Sequence, residues 1–254
     1  MSAIAKAAVK NRNCADLRRQ TGFLSVDECR FAAQSIHPIQ SISTETWLEL
    51  LMRPQGRLAW ISPERLVKAL YERSGLARID RAVIELGLAW LGHQDINTKL
   101  SINTHPETLL DKDFAGWLDM VLNDHAVAPD QLALEIIEFA DTANLAGFLG
   151  ELKAVRRLGV SIILDDYGNG SSNLALLAEG LIDVIKLDRA IVRHVTAKPA
   201  YAALARNIQQ MASDLGVETV AEGVETAADC EKLEEIGVQW GQGYYYSKPQ
   251  LIEI

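Results

Sequence analysis

From Lys99 onward, short β-branched apolar runs alternate with helical segments, and nearly every run ends in an acid, an amide or a lysine. Such alternation indicates a parallel sheet with covering helices. About eight strands in a chain of 254 residues, with no clear linker, favour a closed (β/α)8 barrel over an open doubly wound sheet. In a barrel the carboxyl ends of the strands converge on one face, so residues far apart in sequence share one pocket.

The pattern predicts strands over 36–42 (weakened by Pro38), 99–103, 131–138, 161–166, 183–187, 219–224 and 238–246. Ser62-Pro63 has the form of a helix cap followed by a first-turn proline, for a helix that runs to about Ser74 and stops at Gly75. Further helices are expected over 78–91, 112–125, 141–158, 199–215 and 226–236. Residues 46–53 are mostly apolar and precede a turn at 54–56. Residues 1–30 are expected to form a helical extension, with Ser25 as a candidate cap, and residues 31–254 the barrel domain.

Asp165 and Asp166 close the buried run that begins at Ser161, and Gly168, Asn169 and Gly170 follow as a loop able to take positive φ. Neighbouring acids at the end of a buried strand repel each other and are costly to desolvate. A divalent cation would relieve both costs. A helix N-terminal turn capped by the aspartates is the alternative.

Other polar residues stand at matching strand ends: Glu49, Asn103, Glu135 with Glu138, Lys186, Glu222 with Glu225, and Gln242. Singly, each has an ordinary reading. Glu49 suits an amphipathic helix, Asn103 a turn, Lys186 a surface pair with Asp188, and Glu222 a helix cap. Together, carboxylates with an amide and a lysine suit Mg²⁺ or Mn²⁺. Two such ions about 4 Å apart share a bridging carboxylate, activate water and steady a phosphoryl transition state. A barrel lysine can also form a Schiff base, but that chemistry has no use for so many carboxylates.

The net charge of −9 disfavours a nucleic acid polymer as partner. Cys14, Cys29 and Cys230 form no CxxC, which points away from a zinc knuckle or disulfide framework and towards a reducing cytoplasm. The first residues have no sustained apolar stretch of a secretory signal, and no apolar run reaches the ~18 residues needed to span a membrane. No GxGxxG, GxxxxGK[ST] or HExxH occurs.

Seven motifs in order carry a family resemblance. They are Glu49-Leu-Leu-Met-Arg53, Ser101-Ile-Asn103, Glu135-Ile-Ile-Glu138, Asp165-Asp-Tyr-Gly-Asn-Gly-Ser-Ser172, Asp183-Val-Ile-Lys-Leu-Asp188, Ala221-Glu-Gly-Val-Glu225 and Gln242-Gly-Tyr244. Over roughly residues 34–249 the chain resembles the EAL-domain family of cyclic di-GMP phosphodiesterases. The resemblance implies a modified (β/α)8 TIM-like barrel with an antiparallel first strand. It implies two divalent cations, Mg²⁺ or Mn²⁺, held by Glu49, Asn103, Glu135, Asp165, Asp166 and Glu222. It makes Lys186 the contact to the nucleophilic water, Gln242 the residue completing the site, and Arg53 and Gln34 substrate contacts. Glu138 would anchor the loop after the paired aspartates, linking a dimer contact to the site, and Glu225 would support its floor. The implied reaction is opening of cyclic di-GMP to linear pGpG, lowering a bacterial second messenger.

The implied setting is a cytoplasmic homodimer, with regulation through expression, a partner protein or the oligomer, since no sensory segment is expected within these residues. The chain departs from the family pattern at Ser35, Pro54, Thr104, His105 and Asn173, none of them an implied cation ligand. A non-catalytic relative that binds cyclic di-GMP or a protein is the alternative. With little sequence after Pro249 for a closing helix, residues 1–20 are expected to cover that side of the barrel.

Overall fold

The computed structural model describes residues 26, 29–39, 46–111, 113–136, 145–168 and 174–254, without the side chains of Arg57 and Arg73. Nine strands are seen among them: β1 (Cys29–Pro38), β2 (Thr46–Pro54), β3 (Thr98–Thr104), β4 (Leu132–Ile136), β5 (Ser161–Tyr167), β6 (Val184–Leu187), β7 (Glu218–Glu222), β8 (Trp240–Gln242) and β9 (Gln250–Ile252). Strands β2 to β8 pair in parallel, each with the next. β1 is antiparallel to β2 on one side and to β8 on the other, which closes an eight-stranded barrel. β9 is an added edge strand on the amino-terminal half of β1. The expected barrel with an antiparallel first strand is therefore the fold.

The connecting helices form the outer layer. They are α1 (Pro63–Ser74), α2 (Leu76–Leu91), α3 (Phe114–Asp124), α4 (Leu145–Leu158), α5 (Leu174–Ala178), α6 (Arg189–Val192), α7 (Pro199–Asp214) and α8 (Ala227–Ile236). Local chemistry sets their ends. The Ser62 side chain accepts from Arg65 N ahead of α1, and Gly75 stops it at φ 83°. Thr226 and Asp229 form a reciprocal capping box at α8. α2 lies close on the barrel because Gly87 has no side chain: a Cβ there would stand 2.7 Å from Ile102 Cδ1.

Two apolar cores result. The larger lies between helices and strands, with Leu66, Leu70, Ile84, Leu88, Phe114 and Phe148 fully buried. The smaller fills the barrel interior.

Three expectations need correction. Residues 29–30, expected within the helical extension, are strand, because the stretch that begins there pairs along β2 and, from Phe31, along β9. The strand expected over 36–42 thus begins earlier; it ends at Pro38, with Ile39 N still donating to the Gln239 carbonyl, and residues 40–42 lie outside the described residues. The strand expected over 238–246 shortens to 240–242, since Gly243 packs directly on the Val224 backbone and the chain turns. β9, too short to register as a periodic run, was not foreseen. The proposed role of residues 1–20, and the extension itself up to residue 25, lie outside the described residues.

The interior core sets the largest stability cost. Trp47 is 2% exposed, so Trp47→Ala should lower stability by about 3–5 kcal/mol in urea unfolding. Ile96→Ala, at a side chain 72% exposed, should change it by less than about 0.5 kcal/mol. Equal effects from the two would contradict a packed barrel interior.

Candidate active site

In strands side chains alternate, so residues two apart share a face. Inside this barrel, Trp47, Ala133, Ile163, Val184 and Val220 form an apolar plug, with Trp240 packed edge-on against Trp47. Two residues further along the same strands stand Glu49, Glu135, Asp165, Lys186, Glu222 and Gln242. The polar residues are thus the next interior layer, resting on a dry floor at the carboxyl end of the barrel. On β3 the matching pair is Ser101, which is buried, and Asn103, which is exposed and in register with Glu135.

Lys186 is the centre of this layer. Its side chain is 1% exposed, and its ammonium lies 2.7 Å from Glu135, 2.7 Å from Glu222, 3.3 Å from Glu49 and 3.4 Å from Asp165. Asn103 donates to one Glu49 oxygen at 2.9 Å and Gln242 to the other at 2.7 Å. The surface pair between Lys186 and Asp188 is not formed; Asp188 is buried and caps α6 by accepting from Ala190 N. Glu49 stands on a strand rather than an amphipathic helix.

Consecutive strand residues normally point to opposite faces, yet Asp165 and Asp166 serve one site. The β5–β6 register breaks between Leu164 and Tyr167, and Asp166 has φ 54°, the left-handed region that non-glycine residues rarely occupy. Such strain persists only where surrounding structure enforces it. It brings oxygens of Asp165, Asp166 and Glu222 within 4.8 Å of one another.

Four carboxylates surround one ammonium, and Asp166 stands beside Asp165 and Glu222; all five ionised would exceed Lys186 by four negative charges. Burial, and then the Glu49 charge, pushes Glu135 well above the usual carboxylate range. Burial raises Glu222 to about 8 despite Lys186, with Asp165 and Glu49 adding to the rise. Burial, Asp165 and Asp188 raise Asp166 to about 6. Glu49 alone is lowered: burial pushes it up, but the Lys186 charge and the Gln242 and Asn103 donors outweigh burial. Lys186 is desolvated, yet its carboxylates hold it well above an ordinary lysine.

These residues fit divalent cations. Glu135 Oε1 and Asp165 Oδ1 are buried without a hydrogen-bond partner, although buried carboxylate oxygens normally have one. The donor set is hard oxygen, and two dications would balance the four excess charges.

Arg53 lies one alternation step beyond Leu51 on the face of Glu49, half-buried, and donates to the Met52 carbonyl. Gln34 is in register with Glu49, and its amide donates to the Ser247 carbonyl after β8. Glu225 is exposed, and no hydrogen bond or ion pair among the described residues joins it to the cluster. Glu138 and the loop residues 169–173 lie outside the described residues. Asp188, beside Asp166, was not singled out; its spacing of two from Lys186 was the available signal.

The chain has clear relatives. Cyclic di-GMP phosphodiesterase PdeB of Escherichia coli, described as probable, is 34% identical over 202 residues, covering 77% of this chain and 37% of that protein. The probable phosphodiesterase PdeA of the same organism is 29% identical over 216 residues, covering 84% and 30%. The chain thus spans about a third of the length of these curated relatives. Among solved structures, the calcium and cyclic di-GMP complex of Klebsiella pneumoniae BlrP1 is 30% identical with a TM-score of 0.78, covering 89% of this chain and 57% of that one. A manganese and cyclic di-GMP complex of BlrP1 gives a TM-score of 0.76 at the same identity, covering 88% and 56%. The EAL domain family matches residues 15–249, nearly the whole barrel together with the sequence leading into it, and the chain belongs to that family.

Proposed function

We propose that this chain hydrolyses one phosphodiester of cyclic di-GMP to give linear pGpG, using two divalent cations, Mg²⁺ or Mn²⁺. The observation that carries the reading is the buried Lys186 among carboxylates that would exceed it by four charges if all were ionised, with Glu135 Oε1 left without a hydrogen-bond partner. The names of relatives and the ligands of the BlrP1 complexes support it. Among the described residues no helix is long and apolar enough to cross a membrane.

Water adds to phosphorus and the P–O3′ bond breaks, because pGpG keeps its phosphate on the 5′ side; the 3′ oxygen leaves with a proton. When bound, the cations would supply Lewis acidity to the water and to the phosphate oxygens. The chain's own residues do the rest. Glu49, Asn103, Glu135, Asp165, Asp166 and Glu222 would hold the cations. Lys186 is an ammonium, so it would donate to water or to a phosphate oxygen rather than accept a proton. The same charge speaks against a Schiff-base lysine, which must react as a neutral amine. Arg53, with no ion pair among the described residues, would meet a phosphate at the rim. Gln242 fixes the Glu49 carboxylate.

With saturating Mg²⁺ or Mn²⁺, purified protein should convert cyclic di-GMP to pGpG, and Glu49→Ala should abolish turnover while the barrel stays folded. Folded protein that binds the nucleotide without turnover would instead mark a non-catalytic relative. Lys186→Met should lower kcat by at least about 100-fold yet leave Mn²⁺ binding intact or tighter, since it removes a competing positive charge. Loss of Mn²⁺ binding would contradict the role given to Lys186.

Proton and cation compete for the same carboxylates. Glu222 is raised from 4.5, so its contribution to cation-free stability is full below pH 4.5 and lost as pH rises through about 8. Asp166 behaves likewise through about 6. Saturating Mn²⁺ should therefore raise the melting temperature more at about pH 8 than at about pH 6. Equal increments would count against cation binding at these carboxylates.

A further inference from the structure

α2 follows α1 in the connection from β2 and leads into β3, so its first turns lie towards the strand ends that build the site. In its second turn stands Asp80, an acid 1% exposed that no step above uses. Its carboxylate is fully engaged. Oδ1 accepts from the Tyr71 hydroxyl at 2.6 Å. Oδ2 accepts from the Thr108 hydroxyl at 2.6 Å and from His105 N at 2.7 Å. Three donors on two oxygens suit a buried carboxylate, and a bond to a charged acceptor is stronger than a neutral one.

The place of these bonds matters more than their number. Asn103 is two residues before His105, near the end of β3. On the β2 side the ladder stops at Leu50–Ile102, so Asn103 and Thr104 have no strand partner there. On the β4 side pairing ends at Thr104–Ile136. The first backbone N–H beyond the ladder is that of His105, and Asp80 takes it. Residues 106–110 then form a short helical turn whose buried Thr108 returns to the same carboxylate. The adjacent Arg81 pairs with Asp111 at 3.0 Å, so α2 grips this segment at both ends. Gly87 lets the helix lie close enough to do so.

We propose that Asp80 is a positioning residue: by holding the His105 amide and Thr108 it fixes the end of β3, and so aims Asn103 at Glu49 and at a cation. The inference rests on the reading of Asn103 as a cation ligand. Asp80 touches neither substrate nor cation. It acts through the backbone, as outer groups that orient metal ligands do.

The test is Mn²⁺ alone, titrated into the 254-residue chain and read by the EPR signal of the free ion, so that it does not depend on turnover. Asp80→Ala should weaken Mn²⁺ binding about tenfold or more. Asp80→Asn keeps an acceptor for His105 N and should restore most of the affinity. In an Asn103→Ala background, Asp80→Ala should cost no further affinity, because the residue it serves is gone. Should Asp80→Ala not fold, Thr108→Val combined with Tyr71→Phe removes the hydroxyls that aim the carboxylate and carries the same comparison. Equal losses in both backgrounds, or unchanged affinity in a folded Asp80→Ala protein, would overturn the positioning role alone. Unchanged affinity in Asn103→Ala would instead remove the ligand reading, and this inference with it.

Discussion

Five carboxylates crowded around one end of the barrel, Glu49 and Glu135 buried among them, are the constraint on which this structure depends. Like charges at hydrogen-bond range cannot all remain ionised without compensation. Lys186 supplies part of it, with Glu135 and Glu222 each 2.7 Å from its ammonium. The rest is met by protons in the cation-free chain, as the raised Glu135, Glu222 and Asp166 carboxyls indicate. A layer built for stability alone would not be so unbalanced, because apolar residues of similar size would fill it at lower cost. Entry of divalent cations, as proposed, would give the excess a use.

The barrel makes that layer possible. Closure through an antiparallel β1 leaves the interior faces of eight strands pointing at one axis. The plug of Trp47, Ile163, Val184, Val220 and their neighbours keeps the floor dry. Every electrostatic interaction above it gains strength from that low dielectric. The α2 helix contributes from outside, through an acid that binds a strand end rather than a substrate.

Much of this was legible in the sequence. Apolar runs ending in acids gave the strands from β3 to β7, and the Ser62-Pro63 and Gly75 signals gave α1. Other features were set by tertiary contact. Residues 29–33 are strand because β2 and β9 offer ladders, which no local propensity announces. β8 ends at Gln242 because Gly243 meets the Val224 backbone. The site residues were readable by type and spacing, but their roles were not. Nothing in the sequence says that Asp166 would take a left-handed conformation, or that Asp188 would be buried beside it. Asp80 was missed because a single acid in an amphipathic helix looks like a solvated one. Only the loop after β3 reveals that it is buried.

As a proposed two-cation site, this polar layer is open to direct inspection. The most direct measurement is anomalous diffraction from crystals soaked in Mn²⁺ above the pH at which Glu222 ionises, about 8. Two peaks per chain are expected, one near Asp165, Asp166 and Glu222 and the other near Glu49, Asn103, Glu135 and Asp165. No peak, with Lys186 still bonded to Glu135 and Glu222, would contradict the account.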